Sequence, residues 1–124
     1  MKLLGQRCAL YVRRSKEEHQ AASIEVQTGE GSRYIADQGG SLAPEHIFVD
    51  ADHGRAEFKK RPGLIAMLNA GERRAFDVVV VRDESRLGGD TNRTSLFIQD
   101  LLDAGVRLFY YFTDEEVTID GAVD

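Results

Sequence analysis

A hydroxyl group and two guanidinium groups stand together at the end of the first apolar run of the chain. Residues 8–12 predict a short buried strand, and Arg13, Arg14 and Ser15 follow it directly. Ligands and catalytic groups usually collect at the carboxyl ends of strands in an α/β sheet. Because side chains alternate along an extended chain, Arg13 and Ser15 point to the same side. This pair favours an anionic substrate that is attacked by a hydroxyl group.

Two further charged segments follow predicted strands, at residues 50–61 and 82–90. In a parallel sheet these segments lie on the same edge as Ser15, so Arg61 and Arg86 would join Arg13 there. Guanidinium groups bind phosphate through paired hydrogen bonds and keep their charge at any relevant pH. The set therefore predicts attack by Ser15 on a phosphodiester, with arginines stabilising the charge of the transition state.

Each of these arginines also has a structural interpretation. Arg13 could simply cover a strand end, and Arg61 could be a surface residue at the start of a helix. Arg86 could pair with Asp83 or Glu84. The sequence leaves these alternatives open, because it does not show whether the charged segments converge in space.

Metal chemistry is only weakly indicated. The three histidines are scattered, and none has metal-ligand spacing with another histidine or with a cysteine. Asp50 and Asp52 could bind a cation, but one pair at a strand end is a slight signal. Cys8 is the only cysteine and lies in an apolar run, which predicts a buried, inert thiol. No metal site is predicted.

Length and composition indicate one ordinary globular domain. The 124 residues are 42% hydrophobic and 30% charged, with a net charge of −5 that argues against a nucleic-acid binder. Five of the 21 acidic residues lie at 114–124, where no lysine or arginine occurs, and the remaining 16 match the 16 basic residues. Residues 1–113 are therefore neutral, which weakens the argument against nucleic-acid binding. No signal peptide and no run of transmembrane length is present, so we expect a cytoplasmic protein without a membrane partner.

Strand and helix patterns alternate three times, which predicts an α/β fold: an open, mostly parallel sheet of four to five strands with helices on both faces. The predicted strands are 7–12, 45–50, 76–81, 106–112 and a short fifth at 117–119. The predicted helices begin after a cap at Ser23, at Pro62, and after a cap at Thr91 or Asn92. Four consecutive valines at 78–81 indicate a central strand. The strand order cannot be read from the pattern.

Seven motifs, taken in order, resemble those of the serine recombinases, the family of resolvases and invertases. The matching pieces run from Cys8 to about Gly121: Tyr11-Val12-Arg13-Arg14-Ser15; Ser23 with Gln27; Phe48-Val49-Asp50 with His53-Gly54; Arg61-Pro62-Gly63-Leu64; Asp77-Val78-Val79-Val80-Val81; Ser85-Arg86-Leu87-Gly88; and Gly105-Val106. The occurrence of all seven motifs in the order found in the family indicates membership far more specifically than any single motif. The resemblance implies a resolvase-like catalytic domain that spans residues 1–124.

The resemblance also implies a role for each candidate residue. Ser15 would attack a DNA phosphodiester, become joined to the 5′ phosphate and release a 3′ hydroxyl. Arg13, Arg61 and Arg86 would position and stabilise the scissile phosphate. Three further residues would support the site, namely Tyr11, Gln27 and Asp50. No metal and no high-energy cofactor is implied, because the phosphoserine bond conserves the energy for rejoining.

The implied partners are DNA and further copies of the protein. Members of the family act as a dimer on each crossover site and as a tetramer when two sites meet. A long helix after the catalytic domain drives dimerisation, and a separate C-terminal region reads the DNA sequence. We therefore expect the chain to be truncated before both elements, to be a monomer or weak dimer, and not to recombine DNA unaided.

The chain departs from the family pattern at three positions. Ser85 stands where many members carry aspartate, and His53 stands where serine is common. Gly89 replaces the last arginine of the usual Arg-Leu-Gly-Arg motif, and the loss of one such donor typically costs on the order of a hundredfold in rate. Arg93, one helical turn later, could partly substitute for it.

Two alternative functions follow. One is a catalytically weakened domain of the same fold with a role in assembly or regulation, which Gly89 favours. The other is a flavodoxin-like or receiver-like module that binds a ligand at the same sheet edge. A receiver would carry clustered acidic residues at its strand ends, whereas Arg13 and Ser15 follow the first strand here.

Overall fold

A computed structural model describes residues 1–14, 23–51, 61–87 and 91–118, with the side chains of 91–94 excepted. Strands and helices alternate in it: β1 Arg7–Arg14, α1 Ile24–Asp37, β2 Ser41–Ala51, α2 Pro62–Glu72, β3 Val78–Val81, α3 Thr91–Asp103, β4 Arg107–Tyr110 and β5 Glu115–Val117. One turn of 3-10 helix, Glu84–Arg86, follows β3. With its flanking residues Asp83 and Leu87 we call this segment, residues 83–87, the arginine turn.

The strands form one sheet in the order β2-β1-β3-β4-β5. β1 pairs in parallel with β2 and β3, β3 pairs in parallel with β4, and β5 runs antiparallel to β4. β3 is the central strand, as its valines predicted, and all four are fully buried. The predicted open, mostly parallel sheet is confirmed.

Helices cover both faces of the sheet, as the alternation predicted. On one face, Leu10, Val12 and Val80 pack with Ile35 of α1. On the other face, the side chains of alternate strand residues pack with α2 and α3, in a cluster that includes Tyr11, Val79, Leu64, Met67, Phe97 and Leu101. Cys8 is buried as predicted, and burial raises the pKa of its thiol to about 11. No helix among the described residues is long and apolar enough to cross a membrane.

Several strand bounds differ from the predictions. β2 begins at Ser41 rather than residue 45, because its pairing with β1 continues past an irregularity in the register between Cys8 and Leu10. β4 ends at Tyr110 although the apolar run continues to residue 112. The chain turns at 111–114 and returns as β5 at 115–117, two residues earlier than predicted. Residues 119–124 lie outside the described part of the chain.

Gly63 lies where the start of α2 passes closest to the end of β2. A Cβ atom at this position would stand 2.7 Å from the carbonyl oxygen of Val49 and 3.1 Å from Cγ of Asp50. Because the nearest atom belongs to the strand backbone, α2 would have to shift. We expect Gly63→Ala to lower the free energy of unfolding by about 1–3 kcal/mol, measured by urea titration.

Gly29 provides the matched control for this substitution. It also lies in a helix, α1, but a Cβ atom there would meet nothing within 4 Å. Gly29→Ala should therefore stabilise the domain, by about 0.5–1 kcal/mol. Equal effects of the two substitutions would contradict the close approach of α2 to β2.

Candidate active site

Three arginine side chains lie together at the carboxyl ends of the parallel strands. Arg13 comes from the end of β1, Arg86 from the arginine turn after β3, and Arg61 from the residue before α2. Arg13 and Arg61 are fully buried and Arg86 is 4% exposed. We call these three residues the arginine cluster. The burial of Arg61 excludes its interpretation as a surface residue.

Main-chain carbonyl groups hold the cluster in place. Arg13 Nη2 donates to the Ser85 oxygen at 2.8 Å, and Arg86 Nη1 donates to the Arg13 oxygen at 2.9 Å. Arg61 Nη1 donates to the oxygens of Leu87, at 2.9 Å, and Arg86, at 3.2 Å. Buried charges must be hydrogen-bonded. A guanidinium has five N–H donors, so it can donate to main-chain carbonyl groups and bind an anion at the same time. The cluster thus ties β1, the arginine turn and the start of α2 to one another.

Gln27 holds the main chain of Arg13 from the side of α1. Its Nε2 donates to the Arg13 oxygen at 2.9 Å, and its Oε1 accepts from the Arg13 nitrogen at 3.4 Å. The Ser23 hydroxyl accepts from Val26 N and caps α1, as predicted, which places Gln27 one turn into the helix. The buried amide of Gln27 therefore bonds to the end of β1 as a neighbouring strand would.

Asp50 links the end of β2 to the start of α2. Its Oδ1 accepts from the Gly63 nitrogen at 2.8 Å, and its Oδ2 accepts from the Leu64 nitrogen at 2.9 Å and from the Tyr11 hydroxyl at 2.8 Å. The carboxylate is nearly fully buried and bonds to first-turn amides of α2, where a negative charge also suits the helix dipole. Asp50 thereby fixes the helix start that follows Arg61.

Tyr11 remains a neutral hydrogen-bond donor to this carboxylate. Burial raises the pKa of Tyr11 well above its ordinary value, and the charge of Asp50 and the hydrogen bond to it raise the pKa further. The hydroxyl proton is therefore retained at any relevant pH.

A cation site at Asp50 finds no further support in the described residues. Both oxygens of this carboxylate accept hydrogen bonds from protein donors. Asp52 lies outside the described part of the chain. Across residues 1–14, 23–51, 61–87 and 91–118, no group of three or more histidine, cysteine, aspartate or glutamate residues could hold a metal ion.

Sequence reasoning missed the role of Asp83, which it considered only as a partner of Arg86. Asp83 Oδ1 accepts from the Ser85 nitrogen at 3.0 Å and also from the Ser85 hydroxyl. This is an Asx turn, in which an aspartate side chain bonds to the backbone two residues later. The pattern Asp-x-Ser directly after a strand is the signal that could have revealed it.

Several predicted site residues lie outside the described part of the chain. One of them is Ser15, the predicted nucleophile, and the motif residues His53, Gly88 and Gly89 are others. The side chain of Arg93 is also not described. Arg14, the last residue of β1, is exposed, whereas Arg13 before it is fully buried. Ser15 is the next residue in the chain.

The sequence model of the family "Resolvase, N terminal domain" matches residues 8–121. The chain belongs to this family. It is therefore the catalytic domain of a site-specific recombinase, in a class of enzymes that cleave and rejoin DNA, as the motifs predicted. The flavodoxin-like and receiver-like alternative is not favoured. No curated protein matches the chain.

Solved structures share the fold of the resolvase domain. One is the N-terminal catalytic domain of TP901-1 integrase, with a TM-score of 0.79 and 22% identity over 93% of this chain and 85% of that one. Another is a resolvase family site-specific recombinase from Streptococcus pneumoniae, with a TM-score of 0.72 and 18% identity over 89% and 74%. A third is the C-terminal catalytic domain of ISC1926 TnpA, an IS607-like serine recombinase, with a TM-score of 0.68 and 21% identity over 82% and 67%.

Proposed function

We propose that this domain cleaves a DNA phosphodiester with Ser15 while the arginine cluster binds the scissile phosphate. The observation that carries the proposal is the convergence of three guanidinium groups at the carboxyl ends of β1 and β3, next in sequence to Ser15. The Ser15 oxygen forms a bond to phosphorus as the bond from phosphorus to the 3′ oxygen breaks. The serine proton passes to solvent water, and the departing 3′ oxygen takes up a proton from solvent water. Rejoining is the reverse of this step.

The cluster supplies fixed positive charge where the phosphate becomes more negative in the transition state. Hydrogen bonds from the three guanidinium groups to main-chain carbonyl oxygens hold the positive charges in place before the substrate arrives. Little reorganisation is therefore needed during the reaction. Neither a metal nor a cofactor enters the proposed step.

The supporting residues act by positioning the cluster. Gln27 fixes the main chain of Arg13, while Tyr11 and Asp50 fix the start of α2 beside Arg61. These contacts join α1, β1, β2 and α2 at one edge of the sheet.

Gly89 supports a second candidate function, a weakened domain retained for assembly or regulation. A glycine at this position supplies no charge to the transition state. We propose that the domain remains active but that Gly89 lowers its rate by on the order of a hundredfold relative to an arginine variant.

DNA and further copies of the protein are the proposed partners, and the cytoplasm, where DNA is accessible, is the proposed location. We propose that assembly into dimers and tetramers and the reading of DNA sequence depend on parts of the intact protein other than this domain. The balanced charge of residues 1–113 is consistent with that division, since it leaves no general excess of positive charge for DNA binding.

A covalent-adduct assay tests the proposed function. A DNA site that the intact protein binds is first selected from a randomised pool. This DNA is then nicked, so that the fragment released by cleavage is lost and rejoining is blocked, and it is incubated with the intact protein. We expect an adduct at the 5′ end with the natural protein and none with Ser15→Ala. An adduct only after Gly89→Arg would favour the weakened domain. No adduct in either background would exclude recombinase chemistry.

A further inference from the structure

Asp83 has contacts that the proposed chemistry does not use. Its Oδ1 accepts both the main-chain nitrogen and the hydroxyl of Ser85, and its Oδ2 accepts a hydrogen bond from Arg82 Nη1. Burial raises the pKa of Asp83, but the hydrogen bond from Ser85 and the charges of Arg86 and Arg82 lower it below its ordinary value. The side chain is therefore a charged acceptor engaged through both oxygens.

Arg82 is itself held from the turn that follows β4. Its Cζ lies 4.1 Å from the centroid of the Phe112 ring, a cation–π contact. The Phe112 nitrogen also donates to the Arg82 oxygen at 3.1 Å. Because the side chains of Arg82 and Asp83 are only about a quarter exposed, their ion pair is partly shielded from solvent. The carboxylate of Asp83 is thus fixed from the side of β4.

Ser85 connects this carboxylate to the arginine cluster. Its nitrogen and hydroxyl are bonded to Asp83, and its main-chain oxygen accepts from Arg13 Nη2 at 2.8 Å. A shift of the arginine turn would therefore move the oxygen that orients the guanidinium of Arg13.

We propose that Asp83 is a positioning residue for the recombination reaction and that it orients the guanidinium of Arg13 through Ser85. The inference rests on the proposed function, in which Arg13 binds the scissile phosphate. Asp83 does not touch the reacting atoms. Its effect on rate comes from geometry, and a misplacement of about 1 Å can cost on the order of a hundredfold in rate.

The first test measures Arg13 directly and needs no DNA. The Nε–Hε signal of Arg13 is assigned by NMR in the 124-residue chain and compared among natural protein, Asp83→Ala and Glu84→Gln. Glu84 is the matched control, since it is an exposed carboxylate in the same turn. We expect Asp83→Ala to shift or broaden the Arg13 signal and Glu84→Gln to leave it in place. An unchanged signal in Asp83→Ala would overturn the proposal.

The second test separates chemistry from DNA binding in the intact protein. Asp83→Ala should slow adduct formation on the nicked DNA by on the order of tenfold to a hundredfold, with DNA affinity unchanged. Asp83→Asn keeps an oxygen for Ser85 and should recover part of the rate, while Glu84→Gln should match the natural protein. Equal rates for Asp83→Ala and Glu84→Gln would overturn the proposal.

The two tests keep this inference distinct from the proposed function. If the natural protein forms no adduct, the proposed function fails, and the NMR comparison still decides whether Asp83 orients Arg13. If Asp83→Ala does not fold, Asp83→Glu replaces it in both comparisons, because the longer side chain keeps the negative charge beside Arg82 but does not close the Asx turn onto Ser85.

Discussion

Replacing Asp50 with alanine should lower the free energy of unfolding by about 3–5 kcal/mol. The substitution removes a buried charge and leaves three donors without their acceptor: the main-chain nitrogens of Gly63 and Leu64 and the hydroxyl of Tyr11. Each unsatisfied buried donor costs about 1–3 kcal/mol, and the bonds from the Leu64 nitrogen and the Tyr11 hydroxyl are buried, where water cannot freely replace the carboxylate. Urea titration at neutral pH measures the loss.

Tyr11→Phe is the matched control for Asp50→Ala. It removes only the hydroxyl that donates to Asp50 and keeps both bonds from the carboxylate to α2. We expect a loss of about 0.5–1.5 kcal/mol for this variant. If Asp50→Ala were no more destabilising than Tyr11→Phe, the carboxylate would not be the cap that holds α2 against β2.

Replacing Arg61 with lysine should slow covalent adduct formation at least about a hundredfold, even though the positive charge is kept. Arg61 Nη1 reaches the carbonyl oxygens of both Arg86 and Leu87. A lysine ammonium is a point charge on a flexible stem, without the planar fork that can hold carbonyls and a phosphate at once. The rate is measured in single turnover on the nicked DNA, with the intact protein.

Arg14→Lys is the control for Arg61→Lys, because it makes the same chemical change at an exposed arginine in the same region of the fold. We expect its adduct rate to remain within about threefold of the natural protein, since a surface lysine also keeps the charge. A similar rate for the two lysine variants would mean that the buried fork of Arg61 has no special role in the reaction.

The sequence predicted the elements that depend on local pattern. Four successive valines indicate a strand buried on both faces, and β3 is the centre of the sheet. Ser23 and Pro62 marked two helix starts because capping and the fixed φ of proline act over one turn. Because Pro62 marked the start of α2, it also placed Arg61 at the residue directly before this helix.

The features of the fold and the site that the sequence did not predict depend on contacts between residues far apart in the chain. The burial of Arg61 follows from carbonyl groups 25 and 26 residues away, which no local pattern reveals. β4 ends before its apolar run does, because the chain turns at 111–114 and β5 then pairs antiparallel with β4. The exposed ring of Phe112 lies against Arg82. The pairing of β1 with both β2 and β3 likewise reflects long-range packing.

Mapping the residue that becomes joined to DNA tests the central claim most directly. The adduct formed by the intact protein on the nicked DNA is digested with protease and nuclease, and the modified peptide is sequenced by mass spectrometry. We predict a nucleotide attached through its 5′ phosphate to Ser15, and a free 3′ hydroxyl on the released strand. Attachment to any other residue, or through a 3′ phosphate, would contradict the assignment of Ser15 as the nucleophile.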